Sequence, residues 1–291
     1  MKGFNAFTMA EILLSLTIIG VVAAITLPSL TGNLNERTWN TQRKALYARM
    51  SQAISLMPTL NGYGTLDDTT DTAAETFLTA GLAKVFKINN ICDNEHLEDC
   101  GIPASLIDIS GTKVALPGTL HDLNGMFSIY NRYVENSKAA AFETQNGESI
   151  AVYYNPKCKY DDHCPEGWTC SQFIMCANFI YDLNGKKGPN TFGKDIGVIT
   201  AFHPVDPIVV APMPLSKNAT NNAGAYGKSC SKHGSEGRIP NSYELSAMSY
   251  NHKIMGVPES LYCAQEPSWG EYFNSGVRGK VGCITLRCIE R

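Results

Sequence analysis

The chain has 291 residues, enough for one large domain or two small ones. Hydrophobic residues make up 44% and charged residues 18%, and the formal net charge is −3. Those totals give no basis for a nucleic-acid-binding or strongly basic membrane-binding surface, while 14 prolines and 25 glycines predict a loop-rich body.

The first thirty residues read MKGFNAFTMAEILLSLTIIGVVAAITLPSL. From Phe7 to Leu30 the single charge is Glu11, and the apolar stretch between Glu11 and Pro28 is 16 residues. As a helix that stretch is ~24 Å long. Adding 7–10 brings it to about the ~20 residues a bilayer requires. A cleaved secretory signal needs a small-x-small site, and Thr26-Leu27-Pro28 is a poor one. A plain transmembrane anchor leaves the intramembrane carboxylate of Glu11 without a reason.

The string Ala6-Phe7-Thr8-Met9-Ala10-Glu11, with the apolar run 12–25 and Pro28 behind it, resembles the type IV prepilin signal. That resemblance implies a leader 1–6, cut between Ala6 and Phe7, and methylation of the freed Phe7 amine by the prepilin peptidase. Ala6 stands where the family usually has Gly. In a filament Glu11 would lie among apolar arms, where an unpaired carboxylate costs several kcal/mol, so the amine of a neighbouring Phe7 is its expected partner. Arg37, Arg43, Lys44 and Arg49 follow the arm and only Lys2 precedes it. The positive-inside rule alone would put the body in the cytoplasm; the cysteines and the prepilin pattern put it outside.

After Pro28 an amphipathic helix is expected, with Leu46, Met50, Ala53, Ile54 and Met57 at three- and four-residue spacing. It should end at Pro58 and the Gly62-Tyr63-Gly64 stretch. Arm and amphipathic half together make an expected element of ~50 residues, about 75 Å, with a kink at Pro28. A helix is expected over 72–86 and another over 124–142. Strands are expected at Ser149–Tyr154, 172–181 and Ile196–Phe202, which are rich in β-branched and aromatic residues.

Between the last two strands lies Asp182-Leu183-Asn184-Gly185-Lys186-Lys187-Gly188-Pro189-Asn190-Thr191-Phe192-Gly193-Lys194-Asp195, similar to a turn of pilin-like proteins. One reading is hairpin geometry, with Asn-Gly supplying positive φ. The other is calcium binding by Asp182, Asn184 and Asp195, against which Lys186 and Lys187 weigh. The segment 213–229, rich in small and polar residues, is the expected linker.

From Cys230 onward, Gly237-Arg238-Ile239-Pro240-Asn241-Ser242-Tyr243-Glu244-Leu245 and the terminal Leu286-Arg287-Cys288-Ile289 resemble formylglycine-generating-enzyme-like and C-type-lectin-like modules. This implies loops and short strands pinned by disulfides, serving as a binding head.

There are ten cysteines. Cys92 and Cys100; Cys158, Cys164, Cys170 and Cys176; and Cys283 and Cys288 lie near one another, while Cys230 and Cys263 stand apart. The five-residue gaps from Cys158 to Cys176 do not match zinc pairs and favour disulfides in an oxidising compartment. Connectivity stays open. No Gly-x-Ser-x-Gly, His-Glu-x-x-His or phosphate-binding Gly-rich loop occurs. His163 beside Cys164 and His233 near Cys230 lack an orienting base. No enzyme is expected.

The sequence therefore predicts an α+β chain: leader 1–6, arm and long helix 7–57, pilin-like body 58–212, linker 213–229 and lectin-like module 230–291. The long helix packs on an antiparallel sheet. The expected role is a minor pilin or type II secretion-type pseudopilin, with other pilin subunits, the prepilin peptidase and the bacterial inner membrane as partners. Its body would be extracytoplasmic, and the assembled filament would lie at the cell surface. The alternative is a membrane-tethered extracytoplasmic sugar-binding receptor or enzyme that enters no filament.

Overall fold

The structure, a computed structural model, describes residues 8–61, 72–124, 137–156, 175–202, 208–210, 220–221, 242–257, 261–263, 270–272, 278–279 and 285–286. The chain divides into two compact units, Met1–Lys44 and Ala45–Arg291.

Helix α1 (Met9–Asn61) has 53 residues, and its backbone stays helical through Pro28 and Pro58. The helix runs three residues past Pro58 and ends at Asn61, directly before the expected Gly62-Tyr63-Gly64 stretch. A proline near a helix end forfeits one hydrogen bond, a loss the last turn tolerates better than the middle. In the first unit, Met9, Ile12, Leu13, Leu14, Leu16, Ile18, Ile19, Val21 and Val22 are all exposed. The expected membrane-spanning arm is not met there: among the described residues no helix is long and apolar enough to cross a membrane.

The second unit contains the body. The amphipathic half of α1 buries Leu46, Met50, Ala53, Ile54 and Met57 as its periodicity requires. Each contributes about 1.5–3 kcal/mol by leaving water, except the smaller Ala53. On the same half, Arg49 forms an ion pair with the buried Glu148, which also accepts from the Thr144 hydroxyl. The Arg49 guanidinium also lies 5.6 Å from the centre of the Phe86 ring. The expected helix over 72–86 is present as α2 (Ala73–Thr76), a π-helical turn over Phe77–Gly81 and a 3₁₀ turn over Leu82–Lys84.

The sheet follows: β1 (Ile88–Cys92), a small hairpin of β2 (Ser105–Ile107) and β3 (Lys113–Ala115), helix α3 (Leu120–Asn124), then β4 (Ala140–Thr144), β5 (Ser149–Tyr154), β6 (Met175–Asp182), β7 (Ile196–Phe202) and β8 (Ile208–Val210). Strand order in the six-stranded sheet is β1-β4-β5-β6-β7-β8, antiparallel throughout. The chain is thus α+β. The expected helix over 124–142 is corrected: α3 ends at Asn124, and Ala140 already belongs to β4. The Lys-Ala-Ala-Ala-Phe-Glu run has helix-forming residues, but Ala140, Ala141 and Phe142 are buried in the ladder beside β5, where packing overrides propensity.

Every residue of β5, β6 and β7 is buried, so both faces of the central sheet are covered. On one face Phe77 stacks on Tyr154, ring centres 4.5 Å apart, and meets Phe179 at 6.2 Å. On the other face lies α4 (Ser242–Met255). Its Ala247, Met248, Tyr250, Ile254 and Met255 share one core with Ala151, Tyr153, Ile180, Val198 and Phe202. Helix α4 therefore belongs to the core of the sheet, although it begins inside the segment expected to form a lectin-like module. Beyond it, β10 (Leu261–Cys263), β11 (Gly270–Tyr272), β12 (Arg278–Gly279) and β13 (Thr285–Leu286) join β9 (Thr220–Asn221) in a second sheet of order β12-β11-β10-β13-β9. Strand β9 lies within the expected linker. The pair β10–β13 is parallel.

Within the face toward α4, three polar side chains satisfy one another. Asn178 and Asn251 exchange amide hydrogen bonds of 2.8 and 3.0 Å, and the Thr200 hydroxyl donates to Asn178 Oδ1 at 2.7 Å. All three are buried. Asn251→Ala should strand the Asn178 amide and cost about 1–3 kcal/mol, read as a lower urea midpoint with unchanged slope. An unchanged midpoint would show that the network contributes nothing.

Candidate functional site

Two places combine unusual chemistry with defined geometry: the head of α1 and the β6–β7 hairpin. At the head of α1, Ala6 and Phe7 lie outside the described residues. Thr8 and Glu11 form a capping box. The Thr8 backbone N–H and hydroxyl both donate to Glu11 Oε2 at 2.8 Å, and the Glu11 N–H donates to Thr8 Oγ1 at 3.3 Å. The first helical bond runs from the Ile12 N–H to the Thr8 carbonyl at 3.2 Å. Glu11 thus has a local task, satisfying an otherwise orphaned N–H and placing negative charge at the positive end of the helix. The sequence signal for it was present as Thr-x-x-Glu ahead of an apolar run.

The β6–β7 hairpin places Asp182 at the end of β6 and Asp195 just before β7. Asp195 folds the loop: its Oδ2 accepts from the Asn190 N–H and its Oδ1 from the Thr191 N–H, both at 2.8 Å. Its carbonyl accepts from the Leu183 N–H at 3.0 Å. Gly185 and Asn190 have φ of 61° and 51°, the left-handed turns that Gly and Asn accept most readily. Strand β2 fastens the loop from the side. The Ile107 N–H donates to the Asn190 carbonyl and the Phe192 N–H to the Ile107 carbonyl, both at 2.8 Å.

Asp182 is fully buried. Its Oδ1 accepts from the Asn184 N–H at 3.0 Å, whereas Oδ2 is buried without a hydrogen-bond partner. The same holds for Oδ1 of Asn184 and Oδ1 of Asn190. Three buried oxygens without donors within nine residues of one hairpin, one of them on a carboxyl group, cost stability unless something fills the role of donor. Burial pushes the Asp182 carboxyl up to about 7, and the nearby Asp195 charge adds to the rise, against N–H donation from Asn184 and Gly185.

Of the expected ligands, Asp182 and Asn184 present unpartnered oxygens, and both Asp195 oxygens already accept backbone N–H groups. Asn190 was not singled out by sequence, although the Gly-Pro-Asn that carries it was visible. Lys186 and Lys187 are exposed, so their positions alone do not place their charge in the loop interior. The donor set is all oxygen, which suits a hard cation such as calcium. Such an ion takes 6–8 oxygens, so backbone carbonyls and water would complete the set. Among the described residues no group of three or more His, Cys, Asp and Glu side chains could hold a metal; this loop has two carboxylates and relies on amides.

Of the cysteines, Cys92 and Cys100 form a disulfide. Cys176 is also disulfide-bonded. Cys263 is described by its strand backbone; Cys158, Cys164, Cys170, Cys230, Cys283 and Cys288 lie outside. Inside the Cys92–Cys100 loop, the Asp93 carboxylate 2.7 Å from His96 Nδ1 raises the imidazole above its ordinary range.

Comparison with protein-family models, with characterised proteins and with solved structures finds no match.

The sign of the Asp182 effect is fixed by its direction. A carboxyl that ionises near 7 when folded and near 4 when unfolded binds more protons in the folded state between those values, so it lowers stability as pH rises from about 4 to 7. With chelator present, Asp182→Asn should flatten that part of the pH–stability curve. A wild-type and variant pair with parallel curves over this range would show that Asp182 does not titrate there.

Proposed function

We propose that this chain is a minor pilin or type II secretion-type pseudopilin, a structural and adhesive subunit of a type IV pilus-like filament. The observation that carries the reading is the head of α1: a carboxylate-capped helix start followed by nine large apolar side chains, all exposed. Such a surface has no reason to face water and asks for burial. Neighbouring arms in a filament supply it, and the inner membrane holds the arm before assembly. The Glu11 cap fixes the helix start, and the amine of a neighbouring Phe7 compensates its charge. The body is extracytoplasmic, in keeping with the Cys92–Cys100 and Cys176 disulfides, and the C-terminal segment serves as a lectin-like binding head. Function lies in assembly and contact, not turnover. N-terminal sequencing of the mature protein should begin at a methylated Phe7. An intact Met1, or a cut after Ala24, would favour the tethered receptor or a secreted protein and sink the pilin reading.

A second reading concerns the β6–β7 hairpin, carried by its three unpartnered oxygens: the loop binds calcium through Asp182, Asn184 and Asn190. Calcium at 100 times its Kd should stabilise the fold by about 2.7 kcal/mol, measured as a rise in thermal midpoint that Asp182→Asn abolishes. No shift in the wild type dismisses the site.

A further inference from the structure

We propose that the Cys92–Cys100 disulfide loop is a positioning element for the cation-binding hairpin, so that calcium affinity depends on that disulfide. The inference rests on the calcium reading above and concerns how the site is held.

The disulfide joins the end of β1 to a 3₁₀ turn over Leu97–Cys100. Cys92 is the ladder partner of Ala141 in β4, so this end of the loop is fixed to the sheet. The chain leaves the turn at Gly101, φ 80°. The Gly101 N–H donates to the Glu98 carbonyl at 2.9 Å and the Ile102 N–H to the Leu97 carbonyl at 3.2 Å. At Gly101 the backbone meets the cation hairpin. A methyl group there would collide with Ser149 Oγ and would lie 3.5 Å from the Gly185 Cα. A methyl group on Gly185 would in turn lie 3.2 Å from the same Ser149 Oγ and 3.4 Å from the Gly147 carbonyl. Three loops therefore converge on one hydroxyl without room for a side chain.

That point of convergence borders the ligands. Ser149 is the ladder partner of Asp182, and Gly185 directly follows Asn184, whose backbone N–H donates to Asp182 Oδ1 at 3.0 Å. Moving Gly185 moves the adjacent Asn184, which supplies both a ligand oxygen and the N–H that Asp182 accepts. Nothing in the 93–99 loop needs to touch the ion. The loop acts by holding Gly101 against Gly185, and the disulfide restricts the conformations in which that contact could be lost. Groups outside a metal's own ligands commonly change affinity 10–100-fold when removed.

The test is calcium affinity of the full chain in detergent, measured by calorimetry with calcium chloride, at a temperature where each variant is folded by circular dichroism. The oxidised wild type should bind, and Cys92→Ser with Cys100→Ser should bind roughly tenfold more weakly or worse. Gly101→Ala keeps both cysteines but crowds Ser149 and Gly185, so it should weaken binding as well; it decides the matter if the double variant does not fold. Asn251→Ala serves as the control, because it lowers stability through Asn178 and Thr200 in the strands, not through the 182–195 loop, and should keep wild-type affinity. Wild-type affinity in the disulfide-free protein, or in Gly101→Ala, overturns the inference while leaving the calcium site standing. An equal loss in Asn251→Ala overturns it too, since affinity would then follow general stability. Absence of binding by the oxidised wild type removes the calcium site itself.

Discussion

The constraint on which this fold depends is a sheet with no wet face. Strands β5, β6 and β7 are buried along their whole length, so each polar side chain on them needs a partner inside the protein. Asn178 and Thr200 find theirs in Asn251 of α4. Glu148, at the turn into β5, finds its partners in Arg49 of α1 and Thr144 of β4. The two polar contacts tie a helix on either side of the same sheet to it, and apolar packing supplies the remaining adhesion. Asp182 has one oxygen bonded and one left over.

The same constraint explains what could be read from residues alone. Ser149–Tyr154 and Ile196–Phe202 coincide with β5 and β7, because strands buried on both faces are unbroken runs of apolar and β-branched residues. The stripe from Leu46 to Met57 was legible for the complementary reason: a helix with one buried face repeats every three or four residues. Strand β4 was missed because its alanines carry no strand signal; neighbours on both sides fix it. Helix α4 was missed because its buried set includes Asn251 and His252, polar residues that blur a hydrophobic period. Its sequence was also absorbed into a resemblance built on the preceding Gly-Arg-Ile-Pro.

The hairpin was partly legible. Asp182, Asn184 and Asp195 follow from residue type, but their division of labour does not. Which oxygens accept backbone N–H groups depends on the path of the loop, and that path depends on Ile107 of β2. Asn190 could be recognised only after the path was known. The capping box of Thr8 and Glu11 is the reverse case. Its sequence pattern is sufficient by itself, but a charge in an apolar segment draws attention to distant partners before the nearest backbone N–H.

The amide pair of Asn178 and Asn251 joins residues 73 positions apart. A chain that emerges amino end first completes β6 and β7 well before α4 exists. Until then Asn178 and Thr200 sit on a bare sheet face that water can still reach. The polar pair on that face is satisfied only once α4 docks. A chain that stops before α4 would leave the Asn178 amide on the open sheet face without the partner it has in the whole protein.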